Sequence, residues 1–133
     1  MTSQSQKDEQ EETVLIWNLQ KGRHDTMRLV LVMAGYGVRN VYDESDAINM
    51  VGILSQTNQK AVCLLIKCAG GIEKISGALA NLEESEFSIP ILLILPSAQP
   101  RMVDAMRSHI PQGLDVRFCL SDNTLDALTG IAG

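Results

Sequence analysis

The sequence predicts an α/β fold, a doubly wound parallel sheet of five strands that alternate with five helices. Short apolar runs rich in β-branched residues recur along the chain, and between them apolar residues repeat at helical spacing. The connections between these segments are short. Such alternation produces a parallel sheet with right-handed crossovers and helices on both faces.

The predicted strands are apolar runs that suit a sheet buried on both faces. They span residues 14–19, 38–42, 62–66, 89–95 and 116–120. The longest apolar stretch, residues 89–96, is far shorter than the roughly 18 residues that a membrane span requires, so we expect no membrane insertion.

The predicted helices carry apolar stripes, and the residues at their ends are suited to capping. The stripes are Met27, Val30, Leu31 and Ala34, then residues 47–54, 75–82, 102–106 and 125–131. Gly35 stands where a left-handed cap would close the first helix, and Asp43, Ser45 and Asp46 are available to cap the second. Pro100 suits the first turn of the fourth. The flavodoxin-like strand order 2-1-3-4-5 is the leading candidate for this set of elements.

Composition and charge exclude several classes of function. With 133 residues, 45% of them hydrophobic, the chain is long enough for one domain with a core. The formal net charge is -5, and residues 1–12 are acidic without apolar periodicity. We therefore expect a disordered tail at 1–12 and a folded domain at 13–133. Lysine and arginine do not cluster with aromatic residues, so we expect no direct nucleic-acid binding.

The three cysteines, Cys63, Cys68 and Cys119, form no C-x-x-C pair. Two of them lie inside apolar strand runs, where a free thiol behaves as a small hydrophobic group. The start of the chain shows no secretory signal pattern. We therefore expect structural thiols and a reducing, cytoplasmic setting.

Several local patterns resemble the receiver domains of bacterial two-component response regulators, the CheY-like family. Val14-Leu15-Ile16-Trp17, followed by a helix that ends at Ala34-Gly35-Tyr36, is similar to that family's first strand and helix. Ser88 to Leu93 is similar to its fourth strand, and Gly113 to the turn before its fifth. The resemblance covers about residues 13–132, and it implies a CheY-like fold and a role in signalling.

The chain departs from the family at the residues that carry receiver chemistry. The family has an acidic pair that binds Mg²⁺ after strand one, a phosphoacceptor Asp after strand three, a Ser or Thr after strand four and a Lys after strand five. The corresponding positions here are Asn18 with Leu19, Ile66 or Lys67, Leu95 (Ser97 if the loop is shifted), and Leu120 or Ser121. Residues 13–24 and 60–72 contain no Asp or Glu. The chain therefore resembles a degenerate pseudo-receiver, for which we expect neither Mg²⁺ nor another cofactor.

Basic residues stand where the acids would be, since Lys21 follows the first strand and Lys67 the third. Lys67 could occupy the space of metal and phosphate and lock one conformation. Alternatively, Lys21 and Lys67 could bind an anion together with the amides of Gly70 and Gly71. A simpler interpretation is that Lys21 is a solvated loop charge and Gly70-Gly71 a tight turn.

The surface formed by the predicted fourth helix, the fifth strand and the last helix corresponds to the family's usual docking and dimerisation face. It would present Arg101, Met102, Met106, Arg117 and Asp126. We therefore expect a non-enzymatic, phosphorylation-independent receiver-like domain that binds a protein partner or a second copy in a signalling or transcriptional system. The alternative is a small-ligand module that binds a phosphate-bearing metabolite or nucleotide at the carboxyl ends of the strands.

Overall fold

Five strands form a single sheet in the computed structural model, which describes residues 11–18, 26–57, 59–67, 72–95, 104, 107–108, 110–120 and 123–132. The strands are β1 (Glu11–Asn18), β2 (Gly37–Val41), β3 (Gln59–Lys67), β4 (Ile91–Leu95) and β5 (Val116–Leu120). Their order is β2-β1-β3-β4-β5, and every neighbouring pair is parallel. The predicted fold class and strand order are confirmed.

Four helices lie within the described residues. They are α1 (Thr26–Met33), α2 (Glu44–Ser55), α3 (Ile72–Glu84) and α4 (Thr124–Ala132). The predicted helix after Pro100 falls almost entirely outside the part of the chain that the structure describes. At the other end of the domain, Glu11 and Glu12 belong to β1 rather than to the predicted tail. They join the sheet because they pair with the polar start of β3, where Glu12 lies beside Lys60.

The sheet separates two apolar clusters. On one face, the cluster contains Leu15, Leu64 and Leu93 from the strands and Leu54, Leu79 and Leu82 from α2 and α3. On the opposite face, it contains Ile16, Leu65 and Leu92 from the strands and Met27, Leu31 and Leu128 from α1 and α4. Because successive side chains of a strand point to opposite faces, a strand that feeds both clusters must be apolar throughout. This explains the unbroken apolar runs in the sequence.

The end of α1 is closed by glycine, as predicted. Gly35 has a φ of 99°, in the left-handed region that glycine enters without a steric penalty. Its N–H donates to the Val32 carbonyl at 3.0 Å, and the Tyr36 N–H donates to the Leu31 carbonyl at 3.1 Å. These two bonds form a Schellman motif, which satisfies carbonyls that the end of a helix leaves without partners.

The end of α3 has the same motif without glycine. Glu86 has a φ of 55°, and its N–H donates to the Glu83 carbonyl at 3.0 Å, while the Phe87 N–H donates to the Leu82 carbonyl at 3.1 Å. A residue with a Cβ atom is disfavoured in this conformation. The Glu83 carboxylate also accepts the Gly113 N–H at 2.9 Å, which connects α3 to the turn before β5.

Asp43 caps α2, as the sequence indicates. Its carboxylate accepts the backbone N–H of Asp46 at 2.8 Å, and the Asp46 carboxylate accepts that of Tyr42 at 3.1 Å. The side-chain amide of Asn81 on α3 donates to the Glu44 carboxylate at 2.9 Å. The two helices on this face are therefore fixed to each other as well as to the sheet.

Candidate functional site at the strand ends

The carboxyl ends of the strands form a row along one edge of the sheet. Asn18 and Lys67 are register partners, Lys67 also pairs with Ile94, and Leu95 pairs with Leu120. The structure thus places Asn18, Lys67, Leu95 and Leu120 at the carboxyl ends of neighbouring strands, with Leu95 and Leu120 directed to the cluster beneath α2 and α3. In open parallel sheets, ligands bind at this edge.

The other candidate residues are distributed differently. Seven of them lie outside the described residues: Leu19, Lys21, Gly70, Gly71, Arg101, Met102 and Met106. Arg117 and Asp126 are described and exposed, on β5 and in the first turn of α4. The anion site and most of the predicted interaction face therefore remain predictions.

The register assigns Lys67, rather than Ile66, to the end of β3. Ile66 is buried in the cluster beneath α2 and α3, whereas Lys67 is the last residue of the strand and is half-buried. Leu95 is buried in the same cluster, and Leu120 packs against it. Two of the candidate positions are thus part of the apolar core.

The residues of this edge do not fit Mg²⁺. The ion requires hard oxygen ligands in near-octahedral geometry. Leu95 and Leu120 supply no ligand atom, the ammonium of Lys67 supplies positive charge, and Asn18 has only a neutral amide. No group of three or more His, Cys, Asp or Glu within the described ranges is arranged to hold a metal ion.

The described cysteines are not reactive groups. Burial raises the pKa of the Cys63 thiol to about 12. Burial also raises the pKa of the Cys119 thiol, whose Sγ lies 3.7 Å from the Thr124 hydroxyl. Because the thiolate is the nucleophilic form, both thiols are inert near neutral pH, in agreement with a structural role. Cys68 lies outside the described residues.

A groove of about 590 Å³ lies beside β5, on the predicted interaction face. Within it, Arg117 pairs with Asp115, with 3.4 Å between Nε and Oδ1. The Arg107 guanidinium lies 5.8 Å from the centroid of the Phe118 ring, a cation–π geometry. Both guanidinium groups therefore have partners within this chain, although only that of Arg117 faces an opposite charge.

The sequence reasoning missed the outer surface of α1. The predicted stripe placed Val30 and Ala34 toward the core, but both are exposed, and in α1 the buried side chains are Met27 and Leu31. Ala34 follows the last helical residue and belongs to the C-terminal cap. A signal was present in the sequence, since six of the eight α1 residues are apolar, more than one buried stripe requires.

The arrangement of strands and helices is that of the CheY-like receiver fold. The structure is similar to the chemotaxis protein CheY4 of Vibrio cholerae, with a TM-score of 0.59 and 14% identity over 91% of this chain and 98% of that chain. It is also similar to a two-component response regulator from Cytophaga hutchinsonii, with a TM-score of 0.54 and 16% identity over 91% and 96% of the two chains. No family model and no curated protein sequence matches. Within the described residues, no helix is long and apolar enough to cross a membrane.

Proposed function

We propose that this chain is a receiver-like regulatory domain that acts by binding protein and not by accepting phosphate. The similarity to a chemotaxis protein and a response regulator supports the signalling context. The observation that carries the proposal is the row of Asn18, Lys67, Leu95 and Leu120 at the edge of the sheet where a receiver holds its acidic and hydroxyl residues. An aspartyl phosphate needs a carboxylate nucleophile, and its formation in receivers needs Mg²⁺. These positions provide neither.

Lys67 has a specific role in this proposal. It ends the central strand of the sheet, between Asn18 on β1 and Ile94 on β4. A positive charge at this place disfavours a divalent cation, because like charges repel most strongly where solvent screening is incomplete. The ammonium thereby substitutes for the metal and holds the domain in one conformation.

In this proposal, the domain is regulated by the binding of another protein to its surface. The described strand ends hold no pair of nucleophile and base, and the two described thiols are buried or half-buried with raised pKa values. We therefore propose no enzymatic activity. Specificity in this proposal comes from side chains on the outside of the domain.

A Mg²⁺ titration tests the proposal at the site itself. Trp17, the chain's single tryptophan, is buried and directly precedes Asn18, so its fluorescence reports on changes at this edge. We expect the emission to stay constant up to millimolar Mg²⁺, and calorimetry in parallel to detect no binding. The Asn18→Asp/Lys67→Asp variant, which supplies two carboxylates, is the matched control and should respond. A saturable response of the unmodified chain would refute the proposal.

The second candidate function is binding of a phosphate-bearing metabolite or nucleotide at the same edge. The position of Lys67 favours it, with Lys21, Gly70 and Gly71 as further proposed contacts. A ligand that binds the folded state must raise the melting temperature by mass action. Lys67→Ala should then abolish the shift, whereas Lys60→Ala, an exposed lysine at the opposite end of β3, should retain it. If nucleotides and inorganic phosphate leave the melting temperature unchanged, this candidate is rejected.

A further inference from the structure

The outward side of α1 is apolar from Leu29 to the last helical residue, Met33. Four side chains form this α1 surface: Leu29, Val30, Val32 and Met33, which are exposed by 61%, 41%, 51% and 79%. The buried side of the same helix is formed by Met27 and Leu31, which pack against the sheet. The side chains of the α1 surface are therefore not required to pack the helix against the sheet.

The charge distribution on α1 is typical of the centre of a protein interface. Arg28 is the one charged residue in the helix, and no acidic residue occurs in it. An ordinary surface helix places polar and charged residues on its outward face. Interface centres, by contrast, are depleted of charge and enriched in large apolar side chains such as methionine.

The α1 surface has about half of the area that one side of a standard dimer interface buries. The four side chains together expose on the order of 400 Å² of apolar surface, which is comparable to the largest patch on a typical monomer. A standard interface buries about 800 Å² on each partner, of which about 60% is apolar. The α1 surface alone thus supplies most of the apolar area of one side of such an interface.

We infer that a second copy of this chain packs its own α1 against the α1 surface across a two-fold axis. The inference rests on the proposed function as a protein-binding domain and identifies its partner. A two-fold axis places the same residues on both sides, so an apolar surface is complementary to itself. Val32 and Met33 lie three and four residues after Leu29, so the three side chains share one side of the helix and form a ridge that can interdigitate with its symmetry mate.

The groove beside β5 is less suited to this role. Its arginines Arg107 and Arg117 already interact with Phe118 and Asp115, so an interface there would have to exclude water from paired charges. The α1 surface requires no such desolvation, apart from Arg28 at its margin. Dimerisation through α1 also leaves the groove and the strand ends accessible.

The oligomeric state of the full chain tests the inference. Light scattering after gel filtration, over a range of micromolar concentrations, should give twice the 14.5 kDa chain mass. Met33→Glu places a charge at the most exposed side chain of the α1 surface and should raise the dimer dissociation constant by about tenfold or more. Ile53→Glu is the matched control, because Ile53 is 55% exposed on α2, across the sheet, and this variant should remain dimeric.

Circular dichroism verifies that each variant keeps its helix content, and Leu29→Glu replaces Met33→Glu if that variant does not fold. A wild-type chain that stays monomeric at high micromolar concentration overturns the inference and leaves the α1 surface to a different protein. A dimer that Met33→Glu leaves intact, or that Ile53→Glu weakens equally, also overturns it. None of these results affects the Mg²⁺ titration, so failure of the dimer and failure of the proposed function are distinguishable.

Discussion

The interior of the sheet and the carboxyl ends of its strands follow the receiver pattern to different degrees. In the interior, β3 and β4 are apolar and buried on both faces, and the strand order is that of CheY-like structures. At the ends lie Asn18, Lys67, Leu95 and Leu120, which we propose stand in place of a receiver's metal- and phosphate-binding residues. This difference indicates that the fold depends on the packing between the sheet and the helices. The acidic residues of a receiver's phosphorylation pocket contribute little to that packing.

The largest expected effect lies in the interior. Leu93→Ala removes a fully buried side chain from the cluster beneath α2 and α3 and should lower the free energy of unfolding by about 3–4 kcal/mol, because the cavity cannot collapse completely. Lys67→Ala, at the end of the neighbouring strand, should lower it by less than Leu93→Ala does, because Lys67 is only half-buried and its truncation leaves no enclosed cavity. Urea denaturation measures both. Equal losses in the two variants would show that the strand ends also support the fold.

A pH effect also belongs to the interior, and it is smaller than the Leu93→Ala effect within the first two pH units above 9. Because burial raises the pKa of the Cys63 thiol from 9.0 to about 12, the folded chain keeps this proton at a pH at which the unfolded chain releases it. Its contribution is complete below pH 9 and is lost as the pH rises toward 12, at about 1.4 kcal/mol per pH unit. The stability difference between the wild type and Cys63→Ala should therefore shrink in alkaline urea titrations. A stability difference that does not change with pH would contradict the raised pKa of the Cys63 thiol.

The smallest expected effects come from the two helix ends, and they have opposite signs. Gly35→Ala should destabilise by about 1 kcal/mol, because alanine is strained at a φ of 99° although its Cβ would meet no atom within 4 Å. Glu86→Gly should stabilise by about 0.5–1 kcal/mol, because it relieves the same strain at the end of α3. Thermal melts of the two variants should thus move in opposite directions. Shifts of the same sign would show that side-chain contacts, rather than backbone conformation, determine the stability of these helix ends.

The fold was predictable because its apolar runs are long and its turns are marked. β5 begins and ends at residues 116 and 120, as predicted, and the cap residues Gly35 and Asp43 act as their residue types indicate. The first residues of β1 and β3 were missed. Their side chains are polar, and they enter the sheet only because the two strands pair with each other, which local pattern does not reveal.

The sequence predicted which residues lie at the strand ends, but not the last residue of β3 or the α1 surface. Parallel topology brings the strand ends to one edge, so the row that includes Asn18 and Lys67 follows from the strand order. The choice between Ile66 and Lys67 required the structure, since a run of apolar residues allows a slip of one position. The α1 surface was missed because a helix that is apolar on most of its circumference does not indicate which side faces the sheet.

The central claim is that this domain has the receiver fold without its phosphoryl chemistry. Intact-mass spectrometry of the full chain after incubation with acetyl phosphate and Mg²⁺ tests this claim most directly, with a receiver that carries the acidic residues treated in parallel. The account predicts an unchanged mass for this chain and a phosphorylated species for the parallel sample. A gain of one phosphoryl group, located on an aspartate of this chain, would contradict it.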